Sequence, residues 1–247
     1  MSNSGFQKAL AEVLTADSAR ALLDERPDEL AARFALTDAE LARLIATDRT
    51  HLDINVRSVT NKRLDMLARC LPATLSAGHQ HELLDDFIRR YPPTHVDGQQ
   101  NYLRVLAEGT RFLDHLVTSG RFELADLARY EVLRLALLFD PAATLAAEQA
   151  SADGTELGEH VRLAEFASDV VAQHNQWLST GALPVAKRGA AIRIVLAKVA
   201  GRSALACYRL GEQAYRVLRA GAPFPPEAAE VLRFAAHERL LTRAGAN

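Results

Sequence analysis

The chain is short of the residues on which several functional classes depend. It has only 2 cysteines, Cys70 and Cys207, which lie too far apart in sequence to suggest a disulfide framework or a pair of metal ligands. This cysteine usage is typical of a reducing compartment. Glycine and proline together make up 22 of the 247 residues, which is too few for a long, turn-rich β architecture.

Long hydrophobic runs and common catalytic motifs are missing as well. No apolar stretch approaches the roughly 18 residues that a spanning helix needs, and the opening MSNSGFQKAL does not resemble a signal peptide. The sequence contains no GxSxG, P-loop or GxGxxG motif, and His237-Glu238 lacks the second histidine of an HExxH zinc site. These absences predict a soluble, cytoplasmic protein with no active site of its own.

His79 and His81 come closest to a metal-binding motif. Imidazoles two residues apart point to different sides of a helix and suit one metal ion only in a strand or loop. No neighbouring carboxylate pattern completes a coordination shell. We therefore interpret this stretch as a solvated helix terminus and predict no metal ligands in the chain.

Alanine and leucine are abundant, with 44 and 37 residues, and together they form a third of the chain. Both favour helix. Apolar residues at helical spacing and capping signals, such as Thr37 followed by Glu40, predict consecutive helices through residue 150. Within this helical bundle, residues 51–56 (HLDINV) suggest a short extended piece, with helix resuming near Ser58.

The pattern changes at residues 151–154, a polar, turn-rich stretch that we take as a domain boundary. Strands and helices mix beyond it in an order typical of a winged-helix-like module. The sequence thus predicts a mainly α protein with a small α+β module, as a helical domain (1–150) and a second domain (151–247). The predicted elements of the second domain are a strand (160–166), a helix (168–178), a hairpin (191–199 and 203–210) and two helices (212–219 and 226–241).

The formal net charge of −2 hides an uneven distribution along the chain. Residues 185–247 hold 11 basic and 4 acidic side chains, a surplus of +7, whereas residues 1–184 carry −9. A basic winged-helix-like module predicts either duplex DNA or an acidic peptide as the ligand. The helix at 211–221 lacks the cluster of side chains that reads base edges, and a hairpin edge accepts an extended peptide. A DNA-binding regulator is the alternative to a peptide-binding module.

Three stretches together resemble a known family. They are residues 61–93 (NKRLDMLARCLPATL to LLDDFIRRYPP), residues 102–137 with the core LADLARYE, and residues 208–224 (YRLGEQAYRVLRAGAPF). The chain resembles the accessory subunits of multinuclear non-haem iron oxidative enzymes in the biosynthesis of ribosomally synthesised, post-translationally modified peptides (RiPPs). This group includes the partner subunits of methanobactin and 3-thiaglutamate (pearlin) biosynthesis. Length and the helical N-terminus make the thiaglutamate type the closer match.

The resemblance implies a non-catalytic role. The helical domain would dock on a TIM-barrel iron enzyme to form a heterodimer, and the second domain would act as a RiPP recognition element that captures the precursor peptide. Iron would be bound by the partner enzyme, so no cofactor is expected in this chain. Neither a membrane nor nucleic acid is an expected partner under this interpretation.

A peptide site follows from the hairpin and the resemblance together. The precursor would add a strand along residues 191–210, with Tyr208 and Arg209 beside the groove and Arg216 and Arg219 contributing positive charge. The complete set of predicted peptide-binding residues is Arg193, Arg202, Ala204, Ala206, Tyr208, Arg209, Arg216 and Arg219.

Overall fold

The structure is a computed structural model and describes residues 4–77, 81–93, 101–184, 188–225 and 228–243. It is mainly helical, with a small antiparallel sheet module, as the sequence predicts. The chain divides into two compact units, Met1–His115 (the first unit) and Leu116–Asn247 (the second unit).

The first unit is helical in all its described parts. Its helices are α1 (Ser4–Thr15), α2 (Asp17–Glu25), α3 (Pro27–Phe34), α4 (Asp38–Ile45), α5 (Arg49–Cys70), α6 (Pro72–Ser76), α7 (His81–Arg90) and most of α8 (Asn101–Thr118). Apolar side chains spaced at helical intervals form a buried cluster, because each short helix is amphipathic and must cover one face. The fully or almost fully buried members of that cluster are Ala9, Val13, Ala19, Leu23, Leu30, Leu44 and Leu52.

Two local predictions for this region have opposite outcomes. The capping box at α4 is confirmed: the Thr37 N–H donates to the Glu40 carboxylate at 2.9 Å, and the Glu40 N–H donates to Thr37 Oγ1 at 3.3 Å. The extended piece at 51–56 is wrong, since α5 runs through it without a break. The Asp48 carboxylate caps α5 by accepting from the Thr50 N–H at 2.8 Å, which favours helix from that point.

The second unit contains the sheet module. Its helices are α9 (Phe122–Phe139), α10 (Pro141–Glu148), α11 (Val170–Thr180), α12 (Glu212–Ala220) and α13 (Ala229–His237). Its strands are β1 (Glu156–Leu157), β2 (Val161–Ser168), β3 (Arg188–Lys198), β4 (Leu205–Leu210) and β5 (Leu241–Thr242). The predicted order of strand, helix, hairpin, helix, helix is confirmed by β2, α11, β3–β4, α12 and α13. The last helix is shorter than predicted and is followed by β5.

Strands β2, β3 and β4 form one antiparallel sheet in that order, and β1 pairs with β5 in a separate two-residue ribbon. In the hairpin, Arg193 lies opposite Leu210 and Lys198 opposite Leu205. The connection turns at Gly201, whose φ of +69° is a conformation that glycine adopts without a Cβ clash. The predicted hairpin and its turn are confirmed.

Both faces of the sheet are covered by helices. On one face, Val195 and Ala197 pack with Leu218 of α12 and Ala235 of α13. On the other face, Phe166 and Ile194 are buried, and the Phe166 ring packs edge-on against Tyr130 of α9 with centroids 6.1 Å apart. The sheet would expose this second apolar face to water without α9.

The packing of α9 bears on the predicted domain boundary. The sequence analysis places that boundary at residue 150, after α9 and α10, whereas the compact units meet at residues 115 and 116. Helices α9 and α10 belong with the sheet because α9 packs on β2 and β3 and α10 packs on α9. The polar turn at 151–154 connects α10 to β1 within the second unit, and its middle residues are exposed.

Candidate functional site

The outer edges of the sheet are the places where a further strand could pair, so their backbone groups decide the candidate site. In an antiparallel pair, alternate residues direct their N–H and C=O groups toward the partner strand. The Lys198 N–H donates to the His160 carbonyl at 2.9 Å, immediately before β2 begins. The backbone N–H and C=O groups of even-numbered residues in β2 therefore bond to β3. The backbone groups of odd-numbered residues such as Glu165 point away from the sheet.

Side chains of α9 occupy the outer edge of β2. The Glu165 carbonyl accepts a hydrogen bond from Arg129 Nη1 at 3.3 Å. The Ala167 N–H donates to the Asp126 carboxylate at 2.8 Å. An incoming strand would have to displace both side chains, so this edge is blocked at these positions.

The outer edge of β4 is different. Even-numbered residues of β3 bond to β2, so odd-numbered residues of β3 bond to β4. Val195 of β3 lies opposite Tyr208, so even-numbered residues of β4 bond to β3. The backbone groups of Leu205, Cys207 and Arg209 therefore point outward. Within the described parts of the chain, nothing forms a hydrogen bond with these outward N–H and C=O groups. An unpaired edge of this kind is a template for another strand.

The predicted residues of β4 fall on both sides of this pattern. Ala206 and Tyr208 bond to β3, and their side chains face α12 and α13. The Tyr208 hydroxyl donates to the Glu238 carboxylate, and its ring packs edge-on against Phe234 with centroids 5.5 Å apart. The hydrogen bond to Glu238 raises the pKa of Tyr208 to about 12. Tyr208 thus supports the sheet from within the unit.

The five predicted arginines do not form one basic cluster. Three pair with carboxylates of the same unit: Arg193 with Glu165 at 2.6 Å, Arg209 with Asp169, and Arg216 with Glu212. The other two, Arg202 in the hairpin turn and Arg219 over the Tyr215 ring, form no ion pair with any described residue. Ala204 lies exposed in the same turn as Arg202.

The charge surplus of residues 185–247 is offset within the second unit. Residues 116–247 carry 15 basic and 14 acidic side chains, a net charge of +1, and residues 1–115 carry 14 and 17, a net charge of −3. The upstream acids pair directly with the downstream arginines, as Asp153 does with Arg243 at 2.7 Å. A net charge of +1 is lower than that of a typical duplex-binding module, which is strongly basic.

A polar cluster missed by the sequence analysis lies behind β4. The Tyr130 hydroxyl accepts a hydrogen bond from Arg134 Nη1 at 3.2 Å and interacts with the Cys207 thiol. His174 packs edge-on against the Tyr130 ring, with centroids 5.4 Å apart. The spacing of Tyr130 and Arg134 predicts that they share one face of a helix. Their approach to Cys207 could not be predicted, because it depends on how α9 crosses the sheet.

The electrostatics of this cluster do not favour covalent chemistry. Burial raises the pKa of the Cys207 thiol, so the thiol stays protonated at neutral pH. Burial also lowers the pKa of His174 to about 4, so the imidazole is neutral. A protonated thiol and a neutral imidazole are typical of side chains that pack in a protein interior.

Across the described ranges, no group of three or more histidine, cysteine, aspartate or glutamate side chains is arranged to hold a metal ion. His79 and the side chain of His81, the closest metal motif in the sequence, lie outside what the structure describes. None of the described helices combines the length and apolar character needed to cross a membrane. No protein-family model and no curated protein matches this chain.

Proposed function

We propose that the chain is a non-catalytic accessory subunit that binds a ribosomally made precursor peptide and presents it to an iron-dependent, peptide-modifying oxidase in the cytoplasm. The resemblance to RiPP accessory subunits motivates this proposal. Its main structural support is the outward edge of β4, whose backbone groups are free of described partners while the edge of β2 is occupied by α9.

The peptide would extend the sheet as a strand beside β4. Backbone hydrogen bonds to Leu205, Cys207 and Arg209 would supply affinity that depends little on sequence, and side-chain contacts would supply specificity. Arg202 and Arg219 are the predicted arginines without an ion pair to a described residue, so they are the best placed to attract an acidic segment. Arg193 and Tyr208 would act by holding the sheet together.

Strand addition can be tested by removing one outward donor. Cys207→Pro deletes an N–H that does not bond to β3, and proline is tolerated at such positions of edge strands. The probe is the peptide encoded by a short open reading frame beside the gene. We expect its affinity to fall about tenfold through the lost hydrogen bond and the blocked edge. Cys207→Ala, which keeps the N–H, should bind within about twofold of the unmodified chain.

A second measurement does not depend on the stability of the proline variant. Peptides with a single N-methylated backbone amide, scanned through the binding segment, should lose affinity at alternate positions because only every second amide faces β4. Uniform sensitivity, or none, would rule out strand addition.

The accessory role has its own test. The chain is co-expressed with the oxidase encoded by the neighbouring gene and with the precursor. We expect a stable heteromeric complex, iron bound by the partner alone, and peptide modification that stops when this chain is omitted. Modification at an equal rate without the chain would overturn the proposal.

A further inference from the structure

Arg63 of α5 is an almost completely buried cation in the first unit, with 2% of its side chain exposed. Its Nε donates to the Glu108 carboxylate, its Nη1 donates to the Ile88 carbonyl at 3.2 Å, and its guanidinium lies 5.0 Å from the centre of the Phe87 ring. The remaining nitrogen, Nη2, is buried and forms no hydrogen bond with a described residue. Buried donors in proteins are usually paired, so Arg63 retains the capacity to bind one more acceptor.

Arg63 is also one of the residues around a small cavity between α1, α2, α5 and α7. The cavity volume is about 30 Å³, and a water molecule needs about 10–15 Å³, so the cavity has room for about two oxygen-sized atoms. Asp17 and Arg89 are exposed and place the mouth of the cavity at the surface. The polar residues that line it are Thr15, Asp17, Arg20, Thr60, Arg63 and Arg89.

The charges around the cavity favour an anion with a single negative charge. Arg20 pairs with Asp17, and Arg63 pairs with Glu108. Arg89 forms no ion pair with any residue that the structure describes. One positive charge at the mouth is therefore not balanced by these pairs. The Thr60 hydroxyl adds a donor for an anion, whereas the Thr15 hydroxyl already donates to the Ala11 carbonyl at 2.7 Å.

We propose that this cavity binds one carboxylate group. A carboxylate carries one negative charge and two coplanar oxygens that match the donor geometry of arginine. Phosphate has four oxygens, so about two of them would remain outside the cavity, whereas both oxygens of a carboxylate can enter it. The carboxylate comes either from a small free acid or from an acidic side chain of another polypeptide, and both would make the same contacts. The site lies wholly in the first unit and does not depend on peptide binding at β4.

The proposal is tested with the full chain and acetate. Acetate is titrated against chloride and phosphate at constant ionic strength, with binding followed by calorimetry and by NMR of the arginine Nε–H groups. We expect saturable binding of acetate and a shift of the Arg63 signal, without saturation by chloride or phosphate. Equal responses to all three anions would overturn the proposal.

Variants then locate the binding site. Arg89→Gln removes the exposed arginine of the cavity and should weaken acetate binding about tenfold, as expected for the loss of a charge-assisted hydrogen bond. Arg69→Gln removes an exposed arginine of α5 outside the cavity and should leave the affinity unchanged. Equal affinities in the two variants would exclude this cavity. Far-UV circular dichroism checks that both variants remain folded.

A third titration distinguishes the two sources of the carboxylate. The probe is glutamate with both backbone ends blocked, which carries only its side-chain carboxylate. Binding at least tenfold tighter than acetate indicates a site for an acidic side chain of a polypeptide, whereas binding weaker than acetate indicates a site for a small free acid. Either result supports a carboxylate site, provided that Arg89→Gln weakens it.

Discussion

The Asp126 carboxylate of α9 accepts a hydrogen bond from the Ala167 N–H of β2, with the two atoms 2.8 Å apart. This contact pairs a backbone donor on the outer edge of the sheet with a side chain of the covering helix. Sheet edges that remain unpaired are sites of unwanted association, and proteins commonly cover them. The helix α9 therefore both buries one face of the sheet and leaves β4 as the more accessible edge.

Loss of the Asp126 contact should loosen the edge of β2. We expect Asp126→Ala to lower the free energy of unfolding by about 1 kcal/mol, since Ala167 is exposed and water replaces part of the lost bond. Amide hydrogen exchange at Ala167 should become faster, which NMR measures directly. Glu148→Ala, which removes an exposed acid from α10, is the control and should change neither quantity. If exchange at Ala167 is unaltered in the Asp126 variant, Asp126 does not protect the outer edge of β2.

Ala35 follows α3 in a left-handed conformation, with φ of +50°. Glycine adopts this conformation without the steric cost that alanine incurs, so Ala35→Gly should stabilise the protein by about 0.5–1 kcal/mol. The same substitution three residues earlier, Ala32→Gly, lies in the exposed interior of α3 and should destabilise it by about 1 kcal/mol. Urea unfolding of both variants measures the two signs. Destabilisation by both would show that Ala35 is not under strain.

His174 should make the second unit sensitive to acid. Its pKa of about 4 in the folded protein lies below the ordinary value of about 6.5, so folding favours the neutral form. The stabilisation is complete above pH 6.5 and falls as the pH decreases toward 4, by up to about 3 kcal/mol. His174→Phe should flatten the dependence of the unfolding free energy on pH over this window. Asn175→Ala, which changes an exposed and uncharged side chain of the same helix, is the control and should leave the pH profile unchanged.

The buried pair of Arg63 and Glu108 should show the asymmetry of buried charges. Only 2% and 1% of the two side chains are exposed, so Glu108→Gln leaves a buried cation without its counter-charge. We expect a loss of about 3–5 kcal/mol in the unfolding free energy. The double variant Arg63→Met/Glu108→Leu should recover most of that loss, because it removes both desolvation costs together. A double variant as unstable as the single one would mean that packing dominates at this site.

Local signals predicted much of the fold. The capping box at Thr37 and the alternation in β3 depend on residues close together in the sequence, and both predictions are confirmed. The prediction at residues 51–56 is wrong because the alternation of HLDINV is weak, whereas the cap at Asp48 begins a helix that continues through these residues. The helix α9 is apolar on nearly every side, but its sequence does not reveal that it packs on the sheet.

The predicted peptide site likewise combines features that the sequence reveals with features that depend on the tertiary structure. The hairpin could be found from β-branched residues around Gly201, and the alternation along β4 follows once the register with β3 is known. The roles of individual side chains could not be predicted, since Tyr208 reaches Glu238 and Arg209 reaches Asp169 across the unit. Strand addition at β4 stays a prediction that the peptide experiments test.

The amino-acid sequence by itself determined the helical character, the hairpin and the numbers of acidic and basic side chains, because these depend on composition and on short-range spacing. Only the tertiary structure decided how the charges meet. Three arginines of residues 185–247 pair with acids that precede residue 185 in the sequence. These pairs are Arg193 with Glu165, Arg209 with Asp169, and Arg243 with Asp153. The contrast of −9 and +7 along the chain becomes a net charge of +1 for the second unit, because the fold groups the acidic residues 116–184 with residues 185–247. Which of these charges pair depends on distance in space and not on position along the chain.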